Sequence, residues 1–85
     1  MKPESNQSEG GGQLEGRYAN YFEIGHNAFE FVLDLGQAYE EGERASIHTR
    51  IITGPKYAKT LCDVLSESIN RYERTFGTIP KAERG

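Results

Sequence analysis

A Gly54-Pro55 step joins an alternating segment, 45–53, to a run of helical periodicity that ends at Phe76-Gly77. That junction constrains the fold more than any other feature. Proline is favoured at the first position of a helix, where its missing N–H has no intrahelical partner to lose. Ala58, Leu61, Leu65, Ile69, Tyr72 and Phe76 then recur at spacings of three and four, which lays one apolar stripe along the helix. Gly77 fits the left-handed position after a helix and Pro80 lies just beyond, so the helix has a written stop. At 1.5 Å per residue, about 22 residues make a rod of roughly 33 Å.

Upstream the period is two. Tyr18, Phe22 and Ile24 fall on one face of a first strand, with Asn20 as a polar blemish, while Ala19, Tyr21 and Glu23 fall on the other. Gly25-His26-Asn27 carries turn chemistry. Over 28–35, Phe29, Phe31, Leu33 and Leu35 point one way, Glu30 and Asp34 the other. The stretch 36–43, with Glu40, Glu41 and Glu43 around Gly42, reads as a solvated loop. A third strand over 45–53 has Ala45, Ile47, Thr49 and Ile51 inside and His48 and Arg50 outside. If paired residue numbers sum to about 80, Phe29 faces Ile51, Leu33 faces Ile47 and Glu30 faces Arg50, which satisfies both faces together.

The expected fold class is therefore α+β: a three-stranded antiparallel sheet, β-β-β, followed by one long amphipathic C-terminal helix. A strand of seven or eight residues spans only about 25 Å, less than the helix. The first half of the helix, near Ala58, Leu61 and Leu65, is expected to pack on the sheet. The second half, with Ile69, Tyr72 and Phe76, then overhangs it and needs a partner chain.

Length strengthens that expectation. Of the 85 residues, 1–16 form a Ser/Glu/Gly/Gln-rich stretch holding the run Gly10-Gly11-Gly12, too poor in apolar groups to offset its ordering entropy. It reads as a disordered tail, 81–85 reads as a flexible C-terminus, and 17–80 is the single β-β-β-α domain. A unit of about 60 residues is marginal alone. A homodimer or higher oligomer is expected, built on Ile69, Tyr72 and Phe76 of the helix end and on Tyr21, Val32 and Ile52 of the outer sheet face. Another protein is a further candidate partner.

The formal net charge of -3 disfavours nucleic acid, whose binders carry a basic surplus. The one cysteine, Cys62, allows no intrachain disulfide, and no run approaches the ~20 apolar residues of a membrane span. With no apolar stretch behind Met1 no secretory signal is expected, and the expected setting is the cytoplasm, away from membranes.

Four blocks carry a resemblance: Tyr18-Ala-Asn-Tyr-Phe-Glu-Ile-Gly-His26, then Glu30-Phe-Val-Leu-Asp34-Leu-Gly36, then His48-Thr-Arg50-Ile-Ile-Thr-Gly-Pro55-x-x-Ala58-Lys59-x-Leu61, and finally Tyr72-Glu73-Arg-Thr-Phe76-Gly77-x-Ile79. Together they resemble the small bacterial family known as domain of unknown function 3467. The resemblance spans about 17–79, with the Pro-x-x-Ala-Lys helix start and the Tyr-Glu-x-x-Phe-Gly helix end as its most specific parts. Gly54 departs from it, standing where Ser is expected as the cap. The resemblance implies fold and compartment, and it contributes no catalytic residues.

The residues themselves offer none either. His26 in a turn and His48 on an outer face lack the spacing and partners of a metal pair. Cys62, next to the apolar stripe, behaves as a small hydrophobe and has no Cys/His signature around it. The acidic loop lacks the alternating ligands of a calcium loop. The glycine run follows no strand and precedes no helix, so it is no phosphate cradle. Lys56, Lys59, Arg71 and Arg74 are interrupted by Asp63 and Glu67, a solvated face with a favourable Glu67–Arg71 pair. No cofactor, metal or catalytic activity is expected. The reading is a homo-oligomeric protein-interaction module. The alternatives are a holdase-like chaperone, by fold analogy with SecB-type proteins whose fourth strand is lacking here, and a nucleic-acid-associated regulator.

Overall fold

The computed structural model describes residues 14–39 and 44–81. Three strands, β1 (Tyr21–His26), β2 (Phe31–Gln37) and β3 (Ser46–Thr53), form an antiparallel sheet in the order β1-β2-β3, followed by one helix, α1 (Pro55–Phe76). The α+β class and the strand-strand-strand-helix order are as expected. Of the tail assigned to 1–16, residues 1–13 lie outside the described residues, as do the acidic loop residues 40–43 and most of the flexible end assigned to 81–85.

The helix keeps its expected bounds. Gly54 is extended, with φ -81° and ψ 162°, and offers no side-chain cap. Its carbonyl accepts from the N–H groups of Tyr57 and Ala58 at 3.1 and 2.9 Å, which closes the first turn. At the other end Gly77 has φ 105° and ψ 168°, a conformation open essentially to glycine alone, and its N–H donates to the Glu73 carbonyl at 3.0 Å. The Glu73 carboxylate accepts from the Ile79 N–H at 2.8 Å, fixing the exit of the chain. The Glu67–Arg71 pair is present at 3.1 Å.

The first turn sits further along the chain than expected. Gly25 and His26 belong to β1, and the reversal is made by 27–30, because the Asn27 side-chain oxygen accepts from the N–H groups of both Phe29 and Glu30 at 2.7 and 2.9 Å. Phe29 consequently leaves the sheet for the hairpin tip, where it is 83% exposed. Asn20 also escapes its expected inner-face position. Its side chain donates to the Ala38 carbonyl and accepts from the Ala38 N–H, at 3.0 and 2.9 Å, and so extends the β1–β2 ladder by one step.

The β2–β3 register differs from the expected one by four residues. Leu33 pairs with Ile51 and Asp34 with Arg50, a sum of 84, so Glu30 does not face Arg50 and Phe29 does not face Ile51. An even slip returns every side chain to its own face. The apolar pattern therefore fitted either register, and so did the charge test, because Asp34 answers Arg50 as well as Glu30 could. A bulge between Leu35 and Gly36 then breaks the pairing, and Gly36 lies opposite Ile47.

The largest departure concerns α1. It does not cover the sheet: Leu61 and Leu65 are 45% and 55% exposed, and among the described residues no hydrophobic side chain is buried. The reason lies in the connection. Gly54 alone separates β3 from α1, whereas strand-to-helix connections that fold a helix back over its sheet commonly take two to six residues. The residue before a proline is moreover held to extended conformations. The division of α1 into a half packed on its own sheet and an overhanging half is thus replaced by a helix uncovered along its length.

Candidate functional site

Pairing across the ladders assigns the two faces of the sheet. One carries the rows Phe22–Leu35–Thr49, Ile24–Leu33–Ile51 and His26–Phe31–Thr53. Ile47, expected on this inner face, is moved by the bulge into the Tyr21–Gly36–Ile47 row of the other. The strand positions of the first face hold no Asp, Glu, Lys or Arg, and the Arg17 guanidinium reaches only its edge, at the Thr49 hydroxyl. Phe31, Leu33 and Leu35 on the central strand are half-buried by their neighbours, whereas Phe22, Ile24 and Ile51 are exposed. At one end His26 stacks on Phe31 with ring centroids 5.3 Å apart, so this histidine packs as an aromatic ring.

The opposite face is polar through its middle. Glu23, Asp34 and Arg50 form one row, in which Arg50 makes a two-pronged ion pair with Asp34 at 2.7 and 2.8 Å. The Tyr21 hydroxyl donates to Glu23 at 2.6 Å, and this bond, with desolvation and the charge of the carboxylate, holds the phenol above its ordinary value. Val32 and Ile52 pair side by side, but the charged row separates them from Tyr21, which lies opposite Gly36. Of the expected outer-face interface residues, the structure thus brings two together and leaves the third at the far end.

Hydrogen bonds from the Arg50 guanidinium hold the Asp34 carboxyl below its ordinary value, aided by the positive charge and opposed by desolvation. A carboxylate depressed in the folded state stabilises at pH above its unfolded value, about 4, and that contribution drains as pH falls through the folded value. Asp34→Asn should therefore lower the urea midpoint at pH 6, and the deficit should shrink at pH 2.5. An unchanged deficit at both pH values would mean that the carboxylate charge contributes nothing.

At the Gly36 end the chain before β1 crosses to β3. Arg17 donates to the His48 carbonyl at 3.0 Å and to the Thr49 hydroxyl at 3.4 Å. His48 Nε2–H can donate to the Tyr18 carbonyl, 2.9 Å away, while Nδ1 accepts from the Thr49 hydroxyl at 2.7 Å. Both ring nitrogens are spent on tying strands together. Nearby, Tyr21, Glu23, Arg44, Ala45 and Ile47 line an open depression of about 410 Å³. Its one carboxylate already accepts from Tyr21. Among the described residues no three His, Cys, Asp or Glu groups cluster as a metal site would require, and no helix is long and apolar enough to cross a membrane.

On α1 the expected interface residues Ile69, Tyr72 and Phe76 share one face, at 40%, 49% and 72% exposure. The rings of Tyr72 and Phe76 pack at 4.9 Å, and Leu61, Val64 and Leu65 continue the stripe towards the helix start. Cys62 is exposed beside it. The residues that sequence reasoning left out of the candidate interface are those of the apolar sheet face, Phe22, Ile24 and Ile51, which it assigned to a covered core. The one-residue connection at Gly54 was the signal available for them.

Neither a curated protein nor a solved structure matches the chain. A family model described as "Protein of unknown function (DUF3467)" matches residues 3–81. That span takes in the hairpin, the Gly54-Pro55 junction and the Gly77 helix stop, nearly the whole chain, and the chain is a member of DUF3467.

Proposed function

We propose that this chain is a self-associating protein-interaction module, a homodimer or higher oligomer, acting without catalysis in a bacterial cytoplasm. One observation carries the reading: an apolar sheet face and an apolar helix stripe stand open in the same chain, and no hydrophobic residue is buried among those described. Apolar burial is the main favourable term in folding. A chain that keeps so little of it within itself gains it by association. The exposed thiol of Cys62 fits a reducing compartment.

Light scattering at micromolar concentration should give a mass of at least two chains. The melting temperature should rise with protein concentration, since association stabilises by mass action. A single-chain mass with concentration-independent melting would end the proposal. The holdase-like alternative draws on the same open sheet face, which could accept an unfolded client. It requires the protein to suppress aggregation of a denatured client at near-equimolar ratio, whereas a face already covered by another copy would leave aggregation unchanged.

A further inference from the structure

Resting on the self-association proposed above, we propose that two copies assemble by reciprocal exchange, α1 of each lying along the apolar sheet face of the other, the Phe22–Leu35, Ile24–Leu33–Ile51 and Phe31 rows. Three observations select this occupant. First, α1 cannot serve its own sheet, because the extended Gly54 and the ring of Pro55 leave no slack for the helix to fold back. Second, the two surfaces match in length. The stripe from Leu61 to Phe76 spans roughly 22 Å at 1.5 Å per residue, and the seven residues of β2 span about 23 Å at 3.3 Å each.

Third, the area suffices. An aromatic side chain can bury about 150–250 Å² and an aliphatic one somewhat less; with those on the two surfaces about half exposed, roughly ten of them together with the half-buried β2 residues uncover on the order of 1,000 Å² per chain. A standard interface needs about 800 Å² per partner. Both surfaces lack charged side chains along their centres, so docking strands no unpaired charge. Pairing helix on helix would leave both sheet faces open, and pairing sheet on sheet would leave both helices open. Exchange covers all four surfaces with two identical contacts, as a two-fold dimer requires.

Complementation tests the arrangement. Leu65→Asp spoils the helix stripe and Leu33→Asp spoils the sheet face. In an exchanged dimer each variant alone damages both contacts, so each should associate at least 100-fold more weakly than wild type in sedimentation velocity. Mixed one to one, they should form a dimer holding one of each, because the intact helix of one chain meets the intact sheet of the other. If Leu33→Asp stays assembled, or the mixture remains monomeric, exchange is overturned while self-association stands. A monomeric wild type would instead remove self-association itself.

Because either variant could lose its fold alone, a second measurement uses the unmodified sequence. Nitroxide-labelled Cys62 in one copy, mixed with an isotope-labelled copy, should broaden amide signals of β1, β2 and β3 in the labelled partner. Broadening confined to the partner's α1 would overturn the exchange.

Discussion

Ile69→Asp should convert the assembled protein into single chains at micromolar concentration, with at least a 100-fold loss of association in sedimentation velocity. Ile69 is 40% exposed within its own chain, and polar substitutions at exposed positions usually change stability by no more than about 0.5 kcal/mol. A free-standing chain would therefore tolerate the change, apart from the modest helix propensity of Asp. At the middle of an apolar contact the same carboxylate is buried without a partner, which costs about 3–5 kcal/mol, and a symmetric dimer contains two such sites. The hydrogen-bonded ladders and the Asp34–Arg50 pair involve no residue of α1. Raising the protein concentration should restore both assembly and the wild-type circular dichroism. An assembled Ile69→Asp protein would show that the second half of α1 lies outside the interface.

The helix was legible because its signals are local: Pro55 at the start, Gly77 at the stop and a stripe of period 3.6 between them. The faces of the strands were legible too as far as the bulge, since parity survives the four-residue error in register; past it Ile47 changes face, because the extra residue in β3 left no mark in the apolar pattern. What failed depended on atoms that a linear pattern does not weigh. Asn27 outcompeted Gly25 for the turn by capturing two N–H groups with one side-chain oxygen. That shift carried Phe29 and Glu30 out of the sheet and moved the arginine's partner to Asp34. Apolar patterning fixed which side chains share a face, but not how many steps one strand slides along another.

The candidate interface was half legible. Ile69, Tyr72 and Phe76 follow from periodicity alone and stand exposed on one face of α1. Val32 and Ile52 are neighbours, yet the Glu23–Asp34–Arg50 row cuts them off from Tyr21. The open sheet face went unseen because a sequence reports that a surface is apolar without reporting what covers it. Only the reach of the connection decides that, and a single extended glycine before a proline is too short and too stiff to bring α1 back.

Gly36→Ala should destabilise the sheet more than any other single-methyl addition in the described chain, by about 3 kcal/mol, read as a fall in the urea midpoint or as loss of the strand signal. Gly36 is the one buried residue among those described. It lies opposite Tyr21 on one side and Ile47 on the other, and its carbonyl accepts from the Asn20 N–H at 2.9 Å. A Cβ there would stand 2.8 Å from the Ile47 Cα and overlap the Ser46 carbonyl oxygen. Those atoms are backbone, so no rotamer change can relieve the clash. Relief would require β3 to move away at the bulge, and Thr49 and His48, which anchor Arg17 and Tyr18, would move with it. Gly25 provides the control: a Cβ there meets nothing within 4 Å, and alanine is at least as well suited to a strand. Gly25→Ala should leave the midpoint unchanged or slightly raised, and equal effects at the two positions would show that the close approach of β3 to Gly36 contributes nothing to stability.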